Sequence, residues 1–274
     1  MLTFNDLLRS ANIDPAEVKL LRHETSVAGR TPYSVWRNDS KAFELYQQAQ
    51  GIGRRSDLRL PIWASFVVTP AKETLFVGLY KASLFEGVAN PYVDPLTGED
   101  RDQSNTDFYQ TIALDSLSDL IGRLIISWNA GTRQWIQHAA GRERPVVQIN
   151  ASFEEPAFPG YADLILSLDQ IQAIPSRWRD ALQATKGVYL LTCPKTREIY
   201  VGSATGSDGF LGRWTQYARD GHGGNVRLKS REPSNYQVGI LQVAGSDDDD
   251  DAVLEMEALW KRKLQTRAMG LNSN

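Results

Sequence analysis

The sequence predicts an α+β protein that folds as two domains. Its 274 residues exceed the roughly 100 to 200 residues of a typical single domain. Short runs rich in β-branched and aromatic residues fill residues 61–168, whereas residues 175–274 alternate such runs with longer helical patterns. This change, together with the helix-breaking Pro175, predicts one domain over residues 1–174 and a second over residues 175–274.

The composition is that of a globular protein with its own hydrophobic core. Hydrophobic residues make up 42% and charged residues 23% of the chain, which excludes a disordered or fibrous protein. The longest apolar stretches, residues 62–68 and 120–128, fall short of the roughly 18 residues that a membrane span needs. The first ten residues lack the pattern of a secretory signal, and Cys193 has no second cysteine to pair with. We therefore expect a cytoplasmic protein that does not bind membranes.

Positive charge is concentrated toward the end of the chain, although the net charge is −3. Residues 175–274 hold 14 Lys and Arg against 12 Asp and Glu, and five of those acids form the single run 247–251. Residues 1–174 hold 16 basic against 21 acidic residues. A cationic C-terminal surface suits a phosphate-rich partner such as DNA, although an even spread of the same charges would mean little.

Residues 1–174 are expected to form a β-rich domain with a few helices. Asp14 before Pro15 is typical of a helix start, and residues 41–50 indicate a further helix. Short strands are predicted at residues 62–68, 74–82, 108–114, 123–128, 133–138, 145–149 and 163–168. Such strands favour a small barrel or a strongly curved sheet, and our expectation is a PUA-like barrel. Residues 117–126 fit a helix equally well, and residues 86–107 are expected to form a long polar loop.

Residues 175–274 predict a regular alternation of strands and helices. The predicted helices cover residues 175–184, 210–219 and 252–265, and the predicted strands cover residues 188–192, 198–203 and 236–243. Residues 193–197 are expected to join the first two strands as a hairpin turn. The acidic run 247–251 complements the dipole of the last helix at its start, and Lys261, Arg262 and Lys263 complement it at its end. We favour this interpretation over a metal site, because the run lacks the alternate ligand spacing and turn glycine of a calcium loop.

Five short elements follow one another in this second region. They are Gly187-Val188-Tyr189, Ile199-Tyr200-Val201-Gly202, Arg213, Glu257 and Asn272. Each is a weak signal alone, but their order and spacing on matching strands and helices resemble the GIY-YIG nuclease family over about residues 185 to 274. Val188 and Val201 stand where the family has Ile, a difference of one methylene each.

The resemblance implies a DNA endonuclease that hydrolyses phosphodiester bonds. It implies a small α/β domain in which helices flank a three-stranded antiparallel sheet. Tyr189 is implied in activating the attacking water, assisted by Tyr217 one helical turn beyond Arg213. Tyr200 is implied to border the phosphate and the water. The resemblance also implies that Glu257 binds the metal ion and that Asn272 supports the site by hydrogen bonding.

The residue types support the same chemistry without the family. Glu257 offers the hard oxygen ligand that Mg²⁺ or Mn²⁺ prefers, and Arg213 offers a planar fork for phosphate oxygens. Arg213 and Tyr217 are four residues apart on one helix and therefore share a face. A phenol with a pKa near 10 is a poor base unless a cation lowers that value. Glu255 is the alternative carboxylate to Glu257, and His222 is a weaker candidate for contacting DNA or the leaving group.

The first domain carries no comparable motif. We expect it to recognise the target, because a nuclease module of about ninety residues contacts few base pairs. Aromatic and polar residues there either stack on a flipped base or fill a β core; they are Trp36, Trp63, Tyr80, Tyr92, Trp128, Trp135, Arg133, Gln134 and Gln137.

Three functions remain open on the sequence alone. The first is a metal-dependent DNA endonuclease of restriction or defence with a target-recognition domain. The second is a DNA-repair or structure-specific nuclease with the same chemistry. The third is a nucleic-acid-binding protein without catalytic activity, which the presence of all five motif elements disfavours.

Overall fold

The structure is a computed structural model that describes residues 1–27, 29–87, 92–101, 104–128, 134–221 and 236–272. It divides into two compact units, Met1–Pro156 and Ala157–Asn274. This division lies earlier than the boundary between residues 174 and 175 that the sequence predicts.

The N-terminal unit combines short helices with many strands. Its α-helices are α1 (Phe4–Ser10), α2 (Pro32–Asn38) and α3 (Ser40–Gln48). Its strands are β1 (Val18–His23), β2 (Ala49–Gly51), β3 (Ile62–Val68), β4 (Thr74–Leu84), β5 (Tyr92–Val93), β6 (Asp100–Arg101), β7 (Thr106–Leu114), β8 (Leu124–Ile126), β9 (Ile136–His138) and β10 (Val146–Ile149). Side chains cap the starts of these helices: Thr3 and Thr31 form capping boxes, and Asp39 accepts backbone hydrogen bonds at the start of α3.

One eight-stranded sheet organises this unit. Its order is β10-β8-β4-β3-β1-β9, and β7 pairs with both β2 and β4. β1 runs parallel to β3, whereas the other strand pairs are antiparallel. No pairing joins β10 to β9 in the described part of the chain, so the expected PUA-like barrel is not confirmed.

Several local predictions for this unit are confirmed and others are corrected. β3 has the predicted bounds, and β4 and β7 extend the predicted strands by two residues each. Residues 117–126 do not form a helix; a short 3₁₀ turn, Ser118–Leu120, precedes β8. The predicted loop at residues 86–107 contains the small hairpin of β5 and β6.

The C-terminal unit has the predicted succession of strand, strand, helix, strand and helix. Its strands are β11 (Ile165–Ser167), β12 (Gly187–Thr192), β13 (Ile199–Ala204) and β14 (Gln237–Val243). Its α-helices are α4 (Ser176–Gln183), α5 (Gly209–Asp220), α6 (Asp250–Lys263) and α7 (Thr266–Met269). The sheet is antiparallel in the order β11-β14-β12-β13, so it has four strands where the resemblance implied three.

The additional strand explains the earlier domain boundary. β11 pairs with β14 through Ile165–Gly239, Leu166–Val238 and Ser167–Gln237. The 3₁₀ helix Leu168–Ala173 then packs against α5, and its Leu168 and Ile171 are buried in the same core as Trp178 and Trp214. Residues 157–174 therefore fold with the C-terminal unit, although their sequence resembles the strand-rich part before them.

The two faces of this sheet carry different helices. Tyr189, Tyr200 and Ala204 belong to the core that α4 and α5 cover. Ser203 alternates with Tyr200 and Ala204 along β13 and contacts α6, so α6 lies on the opposite face.

The acidic run caps the start of α6 and places negative charge in its first turn. The side chain of Asp249 accepts a hydrogen bond from the amide of Ala252 at 2.9 Å, and Asp250 and Asp251 occupy the first turn. Lys261, Arg262 and Lys263 occupy the last turn, so both ends complement the helix dipole as predicted. Within the described ranges, no group of three His, Cys, Asp or Glu residues is arranged to hold a metal ion. The described helices include none with the length and apolarity needed to cross a membrane.

Candidate active site

Two glycines of the motifs are required by close packing around the strands. Gly187 has a φ of +152°, and a Cβ atom there would lie 2.2 Å from the carbonyl oxygen of Gln242. Gly202 pairs with Tyr189 across the sheet, and a Cβ atom at Gly202 would lie 2.5 Å from the hydroxyl oxygen of Tyr189. Any side chain at position 202 therefore displaces the ring of Tyr189.

The structure brings the three predicted tyrosines together. Tyr189 is fully buried, and its hydroxyl donates a hydrogen bond to the hydroxyl oxygen of Tyr217 at 3.1 Å. The ring centroid of Tyr217 lies 6.1 Å from that of Tyr189 and 6.3 Å from that of Tyr200. β12, β13 and α5 thus each contribute one phenol to a single cluster.

Arg213 joins this cluster from α5. Its Nε donates to the hydroxyl oxygen of Tyr189 at 3.3 Å, and its Nη2 donates to that of Tyr217 at 3.5 Å. Its Nη1 donates to Oε1 of Gln216 at 3.0 Å. The guanidinium carbon also lies 5.1 Å from the centroid of the Tyr217 ring, within range of a cation–π interaction. The contacts with Tyr189, Tyr217 and Gln216 fix the plane of the guanidinium.

Burial sets the protonation of this cluster. It raises the pKa of Tyr189 and of Tyr217 well above the ordinary value of 10, and Arg213 offsets only part of that increase. Burial alone disfavours the charged form of Arg213, but the oxygens of Tyr189 and Tyr217 outweigh it and raise the pKa of Arg213. At neutral pH Tyr189 and Tyr217 are therefore neutral phenols beside the permanent positive charge of Arg213.

These pKa shifts predict a loss of stability in alkali. Unfolded tyrosines ionise near pH 10, whereas folded Tyr189 and Tyr217 keep their protons to higher pH. The unfolded state therefore binds fewer protons above about pH 10, and the free energy of unfolding falls as the pH rises further. Urea titrations of the wild-type chain and of Tyr217→Phe between pH 9 and 11 measure this slope. We expect a shallower slope for the variant, and equal slopes would contradict the assignment.

Glu257 lies on α6 and faces β13. Its Oε2 accepts a hydrogen bond from the hydroxyl of Ser203 at 2.6 Å, and Nζ of Lys261 lies 2.9 Å from its Oε1. Both side chains of this ion pair are buried, with 12% of Glu257 and 7% of Lys261 exposed. The alternative carboxylate, Glu255, is exposed to solvent. Of the two carboxylates, only Glu257 is held in place by the fold.

Arg213 and Ser203 line the same cleft. A cavity of about 490 Å³ between the end of β13 and the start of α5 is lined by Ser203, Arg213, Gln216 and residues 204–209. A second cavity of about 510 Å³ shares Asp208, Gly212 and Gln216 with it and adds Arg179, Gln183, Leu211, Thr215 and Arg219. Ser203 therefore contacts Glu257 and lines the same cleft as Arg213.

Asn272 acts on the backbone of β13. Its Oδ1 accepts a hydrogen bond from the amide of Val201 at 3.0 Å, and its Nδ2 donates to the carbonyl of Val201 at 2.8 Å. β13 is an edge strand, so the carboxamide replaces the missing neighbour at the residue between Tyr200 and Gly202. Asn272 is thus a positioning residue, in agreement with the predicted hydrogen-bonding support.

Removing this carboxamide is expected to loosen the edge strand. Asn272→Ala leaves the amide and carbonyl of Val201 without their partners, at a cost of about 2–4 kcal/mol in the free energy of unfolding. Hydrogen exchange of the β13 amides should accelerate in this variant. Met269→Ala removes an exposed side chain from the same segment and serves as the control. Unchanged exchange in β13 would show that Asn272 does not hold the strand.

Three side chains of this site were not predicted from the sequence. Ser203 and Gln216 carry no motif, and only the packing of α6 on β13 and the contacts of Arg213 reveal them. Lys261 was assigned to the helix dipole, although its spacing of four residues from Glu257 is the signal of a helical ion pair. His222 lies outside the described residues, so its contact with DNA or the leaving group stays a prediction.

The oxygen donors beside the cleft fit a hard divalent cation. Glu257 supplies a carboxylate and Ser203 a hydroxyl, and Mg²⁺ commonly binds through one or two carboxylates together with water and phosphate. Lys261 already neutralises Glu257, so a second cation would compete with its ammonium for Oε1.

An arginine fixed by buried phenols, in a cleft that is also lined by the serine contacting a held carboxylate, is suited to an enzyme that hydrolyses phosphodiester bonds. Residues 185–272 match the family model described as the GIY-YIG catalytic domain. The C-terminal unit therefore carries a GIY-YIG catalytic domain over these residues, as the motifs predict.

Two solved structures are similar to this part of the chain. The catalytic domain of the homing endonuclease I-TevI is 22% identical with a TM-score of 0.28, and the match covers 32% of this chain and 98% of that one. A mutant of the catalytic domain of the intron endonuclease I-TevI is 21% identical with a TM-score of 0.27, covering 33% of this chain and 94% of that one. No curated protein matches the chain.

Proposed function

We propose that this protein is a metal-dependent DNA endonuclease that cuts in the cleft of its C-terminal unit. The observation that carries the proposal is the fixed guanidinium of Arg213, which contacts Tyr189 and Tyr217 and lines the same cleft as Ser203. Phosphodiester hydrolysis needs charge neutralisation on the phosphoryl oxygens, and a preorganised cation supplies it without reorganisation during the reaction.

The phenols have a role that their raised pKa values define. A neutral hydroxyl accepts a hydrogen bond from an attacking water while it donates its own hydrogen to the next oxygen. Tyr189 already donates to Tyr217, so in this proposal the pair orients the attacking water, and the proton that the water loses passes to solvent in the cleft. Tyr200 completes the cluster beside Tyr217 and borders the bound phosphate in this proposal.

Glu257, with Ser203 beside it, would hold Mg²⁺ or Mn²⁺ in this proposal. A bound divalent ion supplies additional positive charge for the phosphoryl oxygens. Lys261 keeps the buried carboxylate neutralised and in position in the absence of that ion.

We propose that the DNA backbone extends out of the cleft along α5. Arg179 and Arg219 line the second cavity together with Gln183 and Thr215, and cations and amides of this kind contact phosphates without reading sequence. We propose that the N-terminal unit selects the target, because it has a separate core and its own cavities. A catalytic domain with a separate recognition domain is the organisation of a restriction or defence nuclease.

Direct incubation with DNA tests this function. Plasmid, modified and unmodified duplexes, and single-stranded DNA are each incubated with the full chain in Mg²⁺, Mn²⁺ or EDTA. We expect nicking or cutting of DNA with either metal and none in EDTA, and a preference among the substrates would report the recognition unit. Cleavage that persists in EDTA would overturn the metal dependence, and intact DNA in every condition would overturn the nuclease function.

A further inference from the structure

The N-terminal unit contains a cavity of about 320 Å³ beside the end of β1. It is lined by Arg22, His23, Glu24, Thr25, Tyr46, Ala49, Gln50 and Trp135. Its volume lies within the roughly 300–1,000 Å³ of sites that bind small organic molecules.

His23 gives this cavity an unusual polar group. The residue is 3% exposed, and its Nε2 is buried without a hydrogen-bond partner among the described residues. Burial lowers the pKa of His23 to about 3, so the ring is neutral at physiological pH. A buried polar atom without a partner costs about 1–3 kcal/mol, and a ligand recovers that cost where the half-buried rings of Tyr46 and Trp135 move to open Nε2 to the cavity.

Aromatic rings surround this histidine. The ring centroid of Trp135 lies 5.7 Å from that of His23, and the ring centroid of Tyr46 lies 5.5 Å from it. Trp135 and Tyr46 are only half-buried, so part of each ring faces solvent. Flat apolar walls of this kind suit a planar aromatic ligand.

The polar groups of the cavity favour a neutral ligand over an anion. Arg22 forms an ion pair with Glu24 and also donates from Nε to the hydroxyl of Thr74 at 3.1 Å, so its charge is compensated. Gln50 adds a buried carboxamide, which is held by a hydrogen bond from Nε2 to the carbonyl of Gln47 at 2.8 Å. A neutral imidazole and a carboxamide match the mixed donors and acceptors on the edge of a nucleobase.

We propose that this cavity binds a nucleobase, stacked on Trp135 and Tyr46 and hydrogen-bonded by His23 or Gln50. The choice of DNA as the source of the base rests on the proposed nuclease function. In that setting the base is extruded from the duplex into the cavity, and the recognition unit reads one base by its edge. A free nucleotide offers the same chemistry, and the experiment distinguishes the two sources.

The test uses the full chain in EDTA, which prevents cleavage. One probe is a duplex with 2-aminopurine at a mismatch, where extrusion of the base is easiest. The other probes are the four deoxynucleoside monophosphates and 2-aminopurine riboside. We expect saturable binding of the duplex with a change in 2-aminopurine emission, and weaker or undetectable binding of the free nucleotides.

Variants of Trp135 test whether the change in 2-aminopurine emission comes from a base bound in this cavity. Trp135→Ala should abolish the emission change and weaken binding of the base at least about tenfold, because it removes a stacking surface. Trp135→Phe keeps a ring and should retain most of the signal, which separates stacking from a loss of folding. Trp36→Ala removes a half-buried indole elsewhere in the same unit and should leave the signal unchanged.

The outcomes separate this inference from the proposed function. If the duplex is bound and plasmid is cleaved in Mg²⁺ but Trp135→Ala keeps the full emission change, the nucleobase site is overturned and the nuclease stands. If free nucleotides bind tightly, Trp135→Ala weakens that binding and plasmid is not cleaved, the nucleobase site is supported and the nuclease function is overturned. If neither the duplex nor the free nucleotides bind, the nucleobase site is overturned.

Discussion

Replacing Glu257 by Gln is expected to lower the turnover of DNA by at least about a hundredfold, equivalent to about 2.7 kcal/mol of lost transition-state stabilisation. Gln has the size of Glu and still accepts a hydrogen bond from Ser203, but it lacks the negative charge that a divalent ion needs. Binding of Mn²⁺ to the protein with uncleavable DNA should weaken in parallel. Retained turnover in this variant would remove Glu257 from the catalytic machinery.

Because Lys261 forms an ion pair with Glu257, the experiment needs a second variant that controls for a loss of folding. Glu257→Gln removes the carboxylate that faces the buried ammonium of Lys261, and breaking a buried ion pair destabilises a fold by several kcal/mol. Adding Lys261→Met removes that charge, so the double variant separates a catalytic loss from a loss of folding. Glu255→Gln alters an exposed carboxylate on the same helix and should retain wild-type turnover.

Replacing Arg213 by Lys is expected to lower kcat by about a hundredfold to a thousandfold while the affinity for DNA changes little. An ammonium keeps the charge but lacks the planar fork that contacts Tyr189, Tyr217 and Gln216 together. The positive charge would then no longer be fixed where charge develops on the phosphate. Single-turnover kinetics and binding titrations in EDTA measure the two effects separately.

Arg219 provides the contrast for this experiment. It is exposed near the end of the same helix and lines only the second part of the cleft. Arg219→Ala should weaken binding and reduce its salt dependence while single-turnover cleavage of saturated enzyme stays near the wild-type rate. Equal losses of rate and affinity in Arg213→Lys would mean that Arg213 only binds DNA.

Local rules predicted which of the motif side chains lie close together in the C-terminal unit, while their roles stay predictions. Strand pairing across a hairpin places Tyr189 opposite Gly202, and helical spacing places Tyr217 beside Arg213. The partners of Glu257 were not predicted, because Ser203 meets it only after α6 packs on the sheet. Contacts between elements far apart in sequence leave no short pattern to read.

The N-terminal unit was predicted less completely for the same reason. β1 lies inside the sheet, parallel to β3, and such a pair depends on a long crossover rather than on a turn signal. The cavity beside His23 combines residues from β1, α3 and the segment before β9, and nothing in their local sequence relates them. Trp135 was among the aromatic residues that the sequence predicted either to stack on a base or to fill the β core, but Tyr46, His23 and Gln50 were not.

The fourth strand of the catalytic sheet determines which piece of the chain remains soluble when it is isolated. A fragment that begins at residue 185, where the family match begins, lacks β11 and the buried side chains of Leu164, Leu166 and Ile171. Its β14 would then present an unpaired edge next to an uncovered apolar surface, the arrangement through which β-proteins aggregate. A fragment that begins at residue 157 keeps that edge paired, so we expect the unit that folds alone to be about thirty residues longer than its motifs suggest.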